Sequence, residues 1–117
     1  MAENVLKDKS YMFALRIVRL SEYLNNEKKE FVLARKVLDS GTAIAVFIEE
    51  ANQSPDHSDF VSRLSLSNKE AFKTNLWLRL LRDSEYINQN LATSLLADCE
   101  ELQKMLISSL KTARRNE

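Results

Sequence analysis

Apolar residues recur every three or four positions along most of the chain, and this spacing predicts amphipathic helices rather than strands. The predicted helices cover residues 10–24, 30–52, 58–83 and 90–112. Ser10 is expected to be the N-cap of the first helix, and Asn88 and Asn90 can both cap the fourth. The pattern therefore predicts an all-α protein with four long helices.

The segments between the predicted helices are short and contain few residues that favour tight β-turns. The chain holds one glycine and one proline, and Pro55 marks the clearest break between two helices. Connections of five or six residues make sequential helices antiparallel neighbours. We expect an up-down-up-down antiparallel four-helix bundle that forms a single domain over residues 1–117.

The single glycine falls in the middle of the second predicted helix. Gly41 costs about 1 kcal/mol there relative to alanine, because glycine loses more backbone entropy on helix formation. A glycine retained at such a position usually allows a neighbouring helix to approach closely. We expect a close helix–helix contact at Gly41.

The charge balance and the cysteine content indicate which partners and which cellular compartment to expect. Lysine and arginine number 17 and aspartate and glutamate also number 17, so the formal net charge is zero. A nucleic-acid-binding domain usually has a basic excess, which this chain lacks. Cys99 is the only cysteine, the start of the sequence has no apolar leader, and no apolar run is long enough to span a membrane. A cytoplasmic protein without membrane contact is expected.

Residues that could carry catalysis are scarce. His57 is the only histidine and is expected to be a solvated turn residue, whereas Cys99 lies beside an apolar stripe and is expected to be a buried, inert thiol. The adjacent glutamates at 49–50 and 100–101 point about 100° apart on a helix, so they cannot act as matched acid and base. We predict no catalytic, metal or cofactor site, no small-molecule substrate and no enzymatic activity.

Basic residues near the two ends of the chain are the candidate nucleic-acid contacts. In an up-down-up-down bundle the chain start, the second connection and the chain end meet at one pole. The basic residues expected there are Lys7, Lys9, Lys111, Arg114 and Arg115. The same pole also receives Glu49, Glu50, Asp56 and Asp59, and the opposite pole mixes charges in the same way. Solvated mixed charge is the preferred interpretation, with RNA binding as the alternative.

The second and third helices have more apolar surface than one core can use. The surplus residues, which lie opposite the core stripes, are Ala43, Val46, Phe47, Leu76 and Leu80. A helix that is apolar all round is usually buried on both sides. A wide hydrophobic core could bury these residues within one chain, but we favour self-association through them.

Two segments of these helices resemble a known family. Residues 40–45 (SGTAIA) and 48–51 (IEEA) resemble the "SGTSIGANIAEA" stretch of the four-helix-bundle proteins of the 23S rRNA intervening sequence family. Residues 59–60 (DF), 69–71 (KEA) and 77–81 (WLRLL) are similar to its "DF…KEA…ET…WL.LL" segment. Residues 102–106 and 111–112 are similar to its last helix, so the resemblance extends from about residue 31 onward.

The resemblance implies a bacterial protein that assembles as a homopentamer and whose biochemical role is poorly defined. Three positions depart from the pattern: Asp39 replaces a frequent arginine, Phe47 replaces an asparagine, and Lys73 replaces a glutamate. The change at Asp39 removes positive charge, and the change at Phe47 adds apolar surface. Together they count against RNA binding and leave self-assembly intact.

Two functions of different kinds follow from the sequence. The first is a non-enzymatic oligomeric bundle that acts as an interaction or scaffold protein, with RNA or a ribonucleoprotein as a possible partner. The second is an RNA-binding module whose basic residues align only in the assembled oligomer. A continuous basic ring on the oligomer favours the second, and a mixed surface favours the first.

Overall fold

The chain forms four long helices joined by three short connections in a computed structural model that describes residues 2–116, with side chains from residue 5 onward. The helices are α1 (Ala2–Asn26), α2 (Val32–Asn52), α3 (His57–Asp83) and α4 (Gln89–Arg115). No strand occurs in the part of the chain that the structure describes. The predicted all-α class with four helices is confirmed.

The predicted start of the first helix was wrong. The helix begins at Ala2 instead of Ser10, and Ser10 is buried within it rather than capping it. The Ser10 hydroxyl donates to the Lys7 carbonyl at 3.0 Å, which lets a serine sit inside the helix with its polar group satisfied. Leu6 continues the core stripe seven positions before Phe13, and both are buried.

The second helix begins two residues later than predicted. Glu30 lies before the helix, and its carboxylate accepts a hydrogen bond from the Leu33 N–H at 2.7 Å. It therefore satisfies one of the free N–H groups of the first turn of α2 instead of forming part of that turn. Its neighbour Lys29 has a φ of 53°, the left-handed backbone that turns the chain out of α1 without a glycine.

Asn88 is the cap of the fourth helix. Its side chain accepts from the Leu91 N–H at 2.8 Å, and Asn90 lies inside the first turn. Asp56 caps α3 in the same way through the Asp59 N–H at 2.8 Å. Each cap satisfies a backbone donor that the helix itself cannot pair.

The core runs the full length of the bundle and receives apolar side chains from all four helices. Its largest fully buried members include Phe13, Ile17, Leu24, Ile44, Ile48, Leu78, Leu81, Leu95, Leu102 and Leu106. The molecule measures 47 × 21 × 19 Å, which matches a bundle of helices about 40 Å long. No described helix is long and apolar enough to cross a membrane.

The helices contact one another in the cyclic order α1, α2, α3, α4 and back to α1. Lys7, near the start of α1, pairs with Glu49 near the end of α2, and Arg63, early in α3, pairs with Glu50. Arg114 at the end of α4 reaches Ser65 near the start of α3. These contacts agree with the predicted arrangement of antiparallel sequence neighbours.

Candidate functional site

The Ser40-Gly41 pair of α2 joins this helix to both of its neighbours. Ser40 lies 2.8 Å from the Thr74 hydroxyl of α3, and Thr74 also donates to the Glu70 carbonyl at 2.8 Å. Because Thr74 has one hydroxyl hydrogen, Ser40 donates to Thr74 when Thr74 donates to Glu70. On the other side, a Cβ built on Gly41 would lie 2.8 Å from Ile17 Cγ2 of α1. The predicted close contact at Gly41 is confirmed, and the segment is structural.

Cys99 is not available as a nucleophile. The residue is fully buried, and its thiol donates to the Ala71 carbonyl of α3 at 3.4 Å. Burial, followed by the nearby charges of Glu100 and Asp98, raises the pKa of the Cys99 thiol to about 12. A thiol that stays protonated at neutral pH lacks the reactive thiolate form. Its predicted burial is confirmed.

His57 is exposed, as predicted, but it lies in a helix rather than in a turn. It is the first residue of α3, and its Nε2 lies 2.9 Å from the Ala113 carbonyl in the last turn of α4. A carbonyl only accepts, so this contact requires a proton on Nε2. The side chain therefore ties the start of α3 to the end of α4.

A cavity of about 330 Å³ lies beside His57, where the ends of all four helices meet. Leu6, Ile48 and Leu64 contribute apolar lining, and Asn52 contributes an amide at the wall. None of the described residues that line the cavity is an aspartate, glutamate, lysine or arginine, and the imidazole of His57 contacts a backbone carbonyl.

No group of three or more histidine, cysteine, aspartate or glutamate side chains is placed to hold a metal ion within the described residues. The structure does not test the prediction that the protein is not an enzyme, and this stays a prediction.

The basic residues predicted as nucleic-acid contacts do come close to acids. Lys7 Nζ lies 3.8 Å from a Glu49 carboxylate oxygen, and Lys9 Nζ lies 3.2 Å from Glu101. Lys111, Arg114 and Arg115 are exposed on the last turns of α4. The pole therefore presents mixed charge, with its most basic part at the end of α4.

The opposite pole also mixes the two signs. Lys28, Arg82 and Glu85 line one shallow opening there. Arg82 Nε lies 2.7 Å from a carboxylate oxygen of Asp83, and the hydrogen bond from this guanidinium lowers the pKa of the Asp83 carboxyl. An anion arriving at this pole meets acids as well as bases.

The residues predicted to form an oligomer contact differ in exposure. Val46 is 51% exposed, Leu76 42% and Leu80 40%, so these three side chains point away from the core of the single chain. Ala43 and Phe47 are half-buried.

The five predicted contact residues also lie at different heights along the bundle. Ser67 donates to the Ile44 carbonyl and Thr74 bonds Ser40, so α2 and α3 run past each other in opposite directions. Val46 therefore lies near the level of Ser67, whereas Leu76 and Leu80 lie toward the start of α2. The surplus apolar side chains are therefore spread along the length of α2 and α3 and do not gather in one compact patch.

Phe72 was not among the predicted contact residues. This side chain is 54% exposed on α3 and lies one turn before Leu76, which places it on the same outer stripe. The signal was present in the sequence, because Phe72, Leu76 and Leu80 follow one another at intervals of four residues.

Residues 2–108 match the family described as 23S rRNA-intervening sequence protein. The chain belongs to this family. The 23S rRNA-intervening sequence match reaches all four helices but ends before Lys111, Arg114 and Arg115, so the most basic turns of α4 lie outside it.

A solved structure supports the same assignment. The chain is 46% identical to a protein of unknown function from the S23 ribosomal protein family of Bacteroides thetaiotaomicron VPI-5482, whose crystal structure was determined at 1.70 Å resolution. The similarity covers 95% of this chain and 99% of that chain, with a TM-score of 0.93. No curated protein matches significantly. The family resemblance drawn from the sequence is confirmed.

Proposed function

We propose that this 23S rRNA-intervening sequence family member is a non-enzymatic, up-down-up-down bundle that works as a closed homo-oligomer and serves as an interaction or scaffold protein. The observation that carries the proposal is the outer apolar band of α2 and α3, in which Val46, Phe72, Leu76 and Leu80 remain 40–54% exposed in the single chain. An exposed apolar stripe such as Phe72, Leu76 and Leu80 on α3 is typical of protein contact sites.

The size of the band indicates a modest contact for each pair of copies. Fully burying a leucine or phenylalanine side chain is worth about 1.5–3 kcal/mol, and these side chains are already half-buried. The four together offer a few kcal/mol on one copy, against an association cost of at least about 4 kcal/mol. A stable assembly therefore needs apolar surface from both copies at each contact.

The number of copies that we propose is five. Five comes from the family resemblance, since the physics of one chain favours association without fixing its number. A closed ring buries the apolar surface of every copy and leaves no open end for further growth.

The states of Cys99 and His57, the two residues best suited to nucleophilic chemistry, support a non-enzymatic role. The Cys99 thiol is buried with a raised pKa of about 12, and His57 is held by the Ala113 carbonyl. They also lie on different parts of the bundle, so they form no nucleophile–base pair. The cytoplasm is the compartment we propose, because a lone cysteine suits a reducing setting.

RNA binding by the assembled oligomer is the second candidate. The observation that favours it is the basic end of α4, where Lys111, Arg114 and Arg115 are exposed within five residues. Repeated around a ring, these residues would form a basic rim. The acids paired with Lys7 and Lys9 at the same pole weaken that rim.

Sedimentation velocity of wild type and Leu76→Arg, with circular dichroism of both, tests the proposal. We expect wild type to be oligomeric at tens of micromolar and Leu76→Arg to be monomeric with unchanged helical content, because Leu76 is exposed and a guanidinium buried at an apolar contact has no partner. Phe47→Glu is a less clean variant, because Phe47 is half-buried and its loss also affects the packing of α2 within the monomer. A monomeric wild type contradicts the proposal.

A further inference from the structure

A closed ring of more than two copies needs two different surfaces on every copy. In such a ring each copy contacts its neighbour head to tail, so a patch on one side must fit a distinct patch on the other. This inference rests on the proposed homo-oligomer and concerns which two surfaces meet. The outer stripe of α3 is one of them, and the structure contains a groove that fits it.

The first surface is a ridge along the outside of α3. Phe72, Leu76 and Leu80 follow one another at intervals of one turn and all point outward. Lys69 and Lys73 flank the Phe72 end of this ridge, and Lys73 also pairs with Glu70 at 3.1 Å.

The far end of the ridge has mixed charge. Arg79 and Asp83 are both exposed beyond Leu76, and Asp83 pairs with Arg82 at 2.7 Å. Each end of the ridge therefore has two basic residues beside one acid, and its middle is apolar. Lys69 and Lys73 supply the positive charge at the Phe72 end.

The second surface is the groove between α1 and α4, the least closely packed of the four neighbouring helix pairs. Two cavities of about 280 and 320 Å³ open along it. The buried core residues Phe13, Leu20, Leu95 and Leu102 line their floors. Met12 is 59% exposed on the wall of the first cavity, so the groove offers apolar surface to a visiting helix.

The two cavities of the groove differ in charge and polarity. Asp8, Asp98 and Glu101 line the first cavity, where Glu101 pairs with Lys9 at 3.2 Å and Asp98 pairs with Arg16 at 2.7 Å. The second cavity is lined mostly by apolar or aromatic side chains, with Arg16 and Arg19 at its edge. The first cavity therefore has more acids than bases in its lining, and the second is mainly apolar.

We propose that the α3 ridge of one copy docks into the α1–α4 groove of the next copy. Lys69 and Lys73 then lie at the acidic first cavity, and Leu76 and Leu80 lie over the apolar second cavity. Positive charge meets negative charge at one end, and apolar surface meets apolar surface at the other.

The heights of the two surfaces agree with this docking. Gly41 contacts Ile17 of α1 and its neighbour Ser40 bonds Thr74 of α3, so Ile17 and Thr74 lie at nearly the same level. The helices α1 and α3 run in the same direction. Counting five residues toward the N-terminus from Ile17 and from Thr74 therefore reaches Met12 on α1 and Lys69 on α3, at equal heights. Lys69 is therefore level with the acidic cavity.

Counting two residues toward the C-terminus from Thr74 and from Ile17 places Leu76 level with Arg19, which lines the second cavity. In a ring whose axis runs along the bundles, rotation moves each copy sideways without changing the level of any residue. The ridge of one copy and the groove of the next then meet at matching heights, and all copies stand with the same end up.

Two single variants and their mixture test this inference. Leu76→Arg disables the ridge, because Arg16 and Arg19 lie at the cavity that Leu76 covers, and Met12→Arg disables the groove, because Lys69 and Lys73 of the next copy meet it there. Leu76 is 42% exposed and Met12 59%, so neither change should unfold the monomer. Tyr11→Arg is the matched control, because Tyr11 is 58% exposed but lies about 100° around α1 from Met12.

Sedimentation velocity should show each of the two variants as a monomer and Tyr11→Arg as assembled like wild type. An equal mixture of Leu76→Arg and Met12→Arg at the highest soluble concentration should form a heterodimer of twice the 13.5 kDa chain mass and nothing larger, since one intact ridge meets one intact groove. Circular dichroism should show the same helical content for all of them.

The inference is overturned if Met12→Arg assembles like wild type, or if the two folded variants stay monomeric in the concentrated mixture. Either result leaves the homo-oligomer standing but built on other surfaces. A wild type that is itself monomeric overturns the proposed function, and the docking of these two surfaces with it.

Discussion

Gly41 shows how one residue sets the distance between two helices. A Cβ at this position would lie 2.8 and 2.9 Å from the two γ carbons of Ile17, which is closer than real Cβ contacts come. Ile17 is fully buried and β-branched, so its side chain has little freedom to move aside. The glycine therefore permits an α1–α2 contact that alanine would push apart.

We predict that Gly41→Ala destabilises the protein by about 1–3 kcal/mol in urea denaturation, because overpacking outweighs the gain in helix propensity. Without the clash, the same change would stabilise a helix by about 1 kcal/mol. In an Ile17→Ala background, which removes both γ carbons, adding Gly41→Ala should be neutral or stabilising. A stabilising effect of Gly41→Ala alone contradicts the close contact.

Cys99 gives a prediction about pH. Burial raises the pKa of its thiol from an ordinary 9.0 to about 12, so between these values the folded state holds a proton that the unfolded chain releases. Unfolding then becomes easier as pH rises, and the contribution of the protonated thiol is complete below pH 9 and lost toward pH 12.

The stability of wild type relative to Cys99→Ala should therefore fall by about 1 kcal/mol or more between pH 8 and roughly pH 10.5. Urea denaturation of both proteins at the two pH values measures this difference, and the comparison cancels the titration of lysines and tyrosines. A difference that does not change with pH contradicts a buried, protonated thiol.

At the scale of the helices, Asn88 and Asn90 test the cap of α4. Asn88→Ala should destabilise the protein by about 1 kcal/mol, because the Leu91 N–H loses its side-chain acceptor. Asn90→Ala is the matched control, since Asn90 is exposed within the first turn and alanine is the better helix former. Equal effects of the two variants in thermal or urea denaturation would contradict the capping role of Asn88.

The helical pattern of the sequence was sufficient for the number and class of the elements but not for all their ends. The boundaries near residues 52 and 83 were predicted because polar connections follow them. The start of α1 was not, because Ser10 favours caps in general and only its bond to the Lys7 carbonyl makes it a helix-interior residue here. The apolar core stripe of α1 continues to Leu6, so packing of the helix outweighs the preference of Ser10 for a cap position.

The candidate contact surface was only partly predictable for a related reason. Periodicity separates the core side of a helix from the opposite side, and it identified Val46, Leu76 and Leu80 as surplus. It does not give the height of one helix relative to another, or how closely α1 and α4 pack. The groove between those helices is therefore a property of the folded bundle that no single segment encodes.

For the whole molecule, the mixed charge of both poles predicts weak non-specific binding to nucleic acid. We expect a dissociation constant no tighter than about 1 µM at roughly 150 mM salt, because acids lie beside Lys7 and Lys9 and the net charge is zero. Fluorescence anisotropy with short labelled single-stranded and duplex RNA measures this affinity.

Tighter binding that falls steeply with salt, and that is lost in an Arg114→Glu, Arg115→Glu double variant, would contradict the prediction. It would favour the RNA-binding alternative, with the end of α4 as the contact.

Sedimentation equilibrium of the wild-type protein measures whether the bundle is one part of a closed homo-oligomer. At tens of micromolar we predict a single species of five times the 13.5 kDa chain mass, unchanged over a several-fold range of concentration because a closed ring has no free surface for growth. A species with the mass of one chain under these conditions would contradict the proposed assembly.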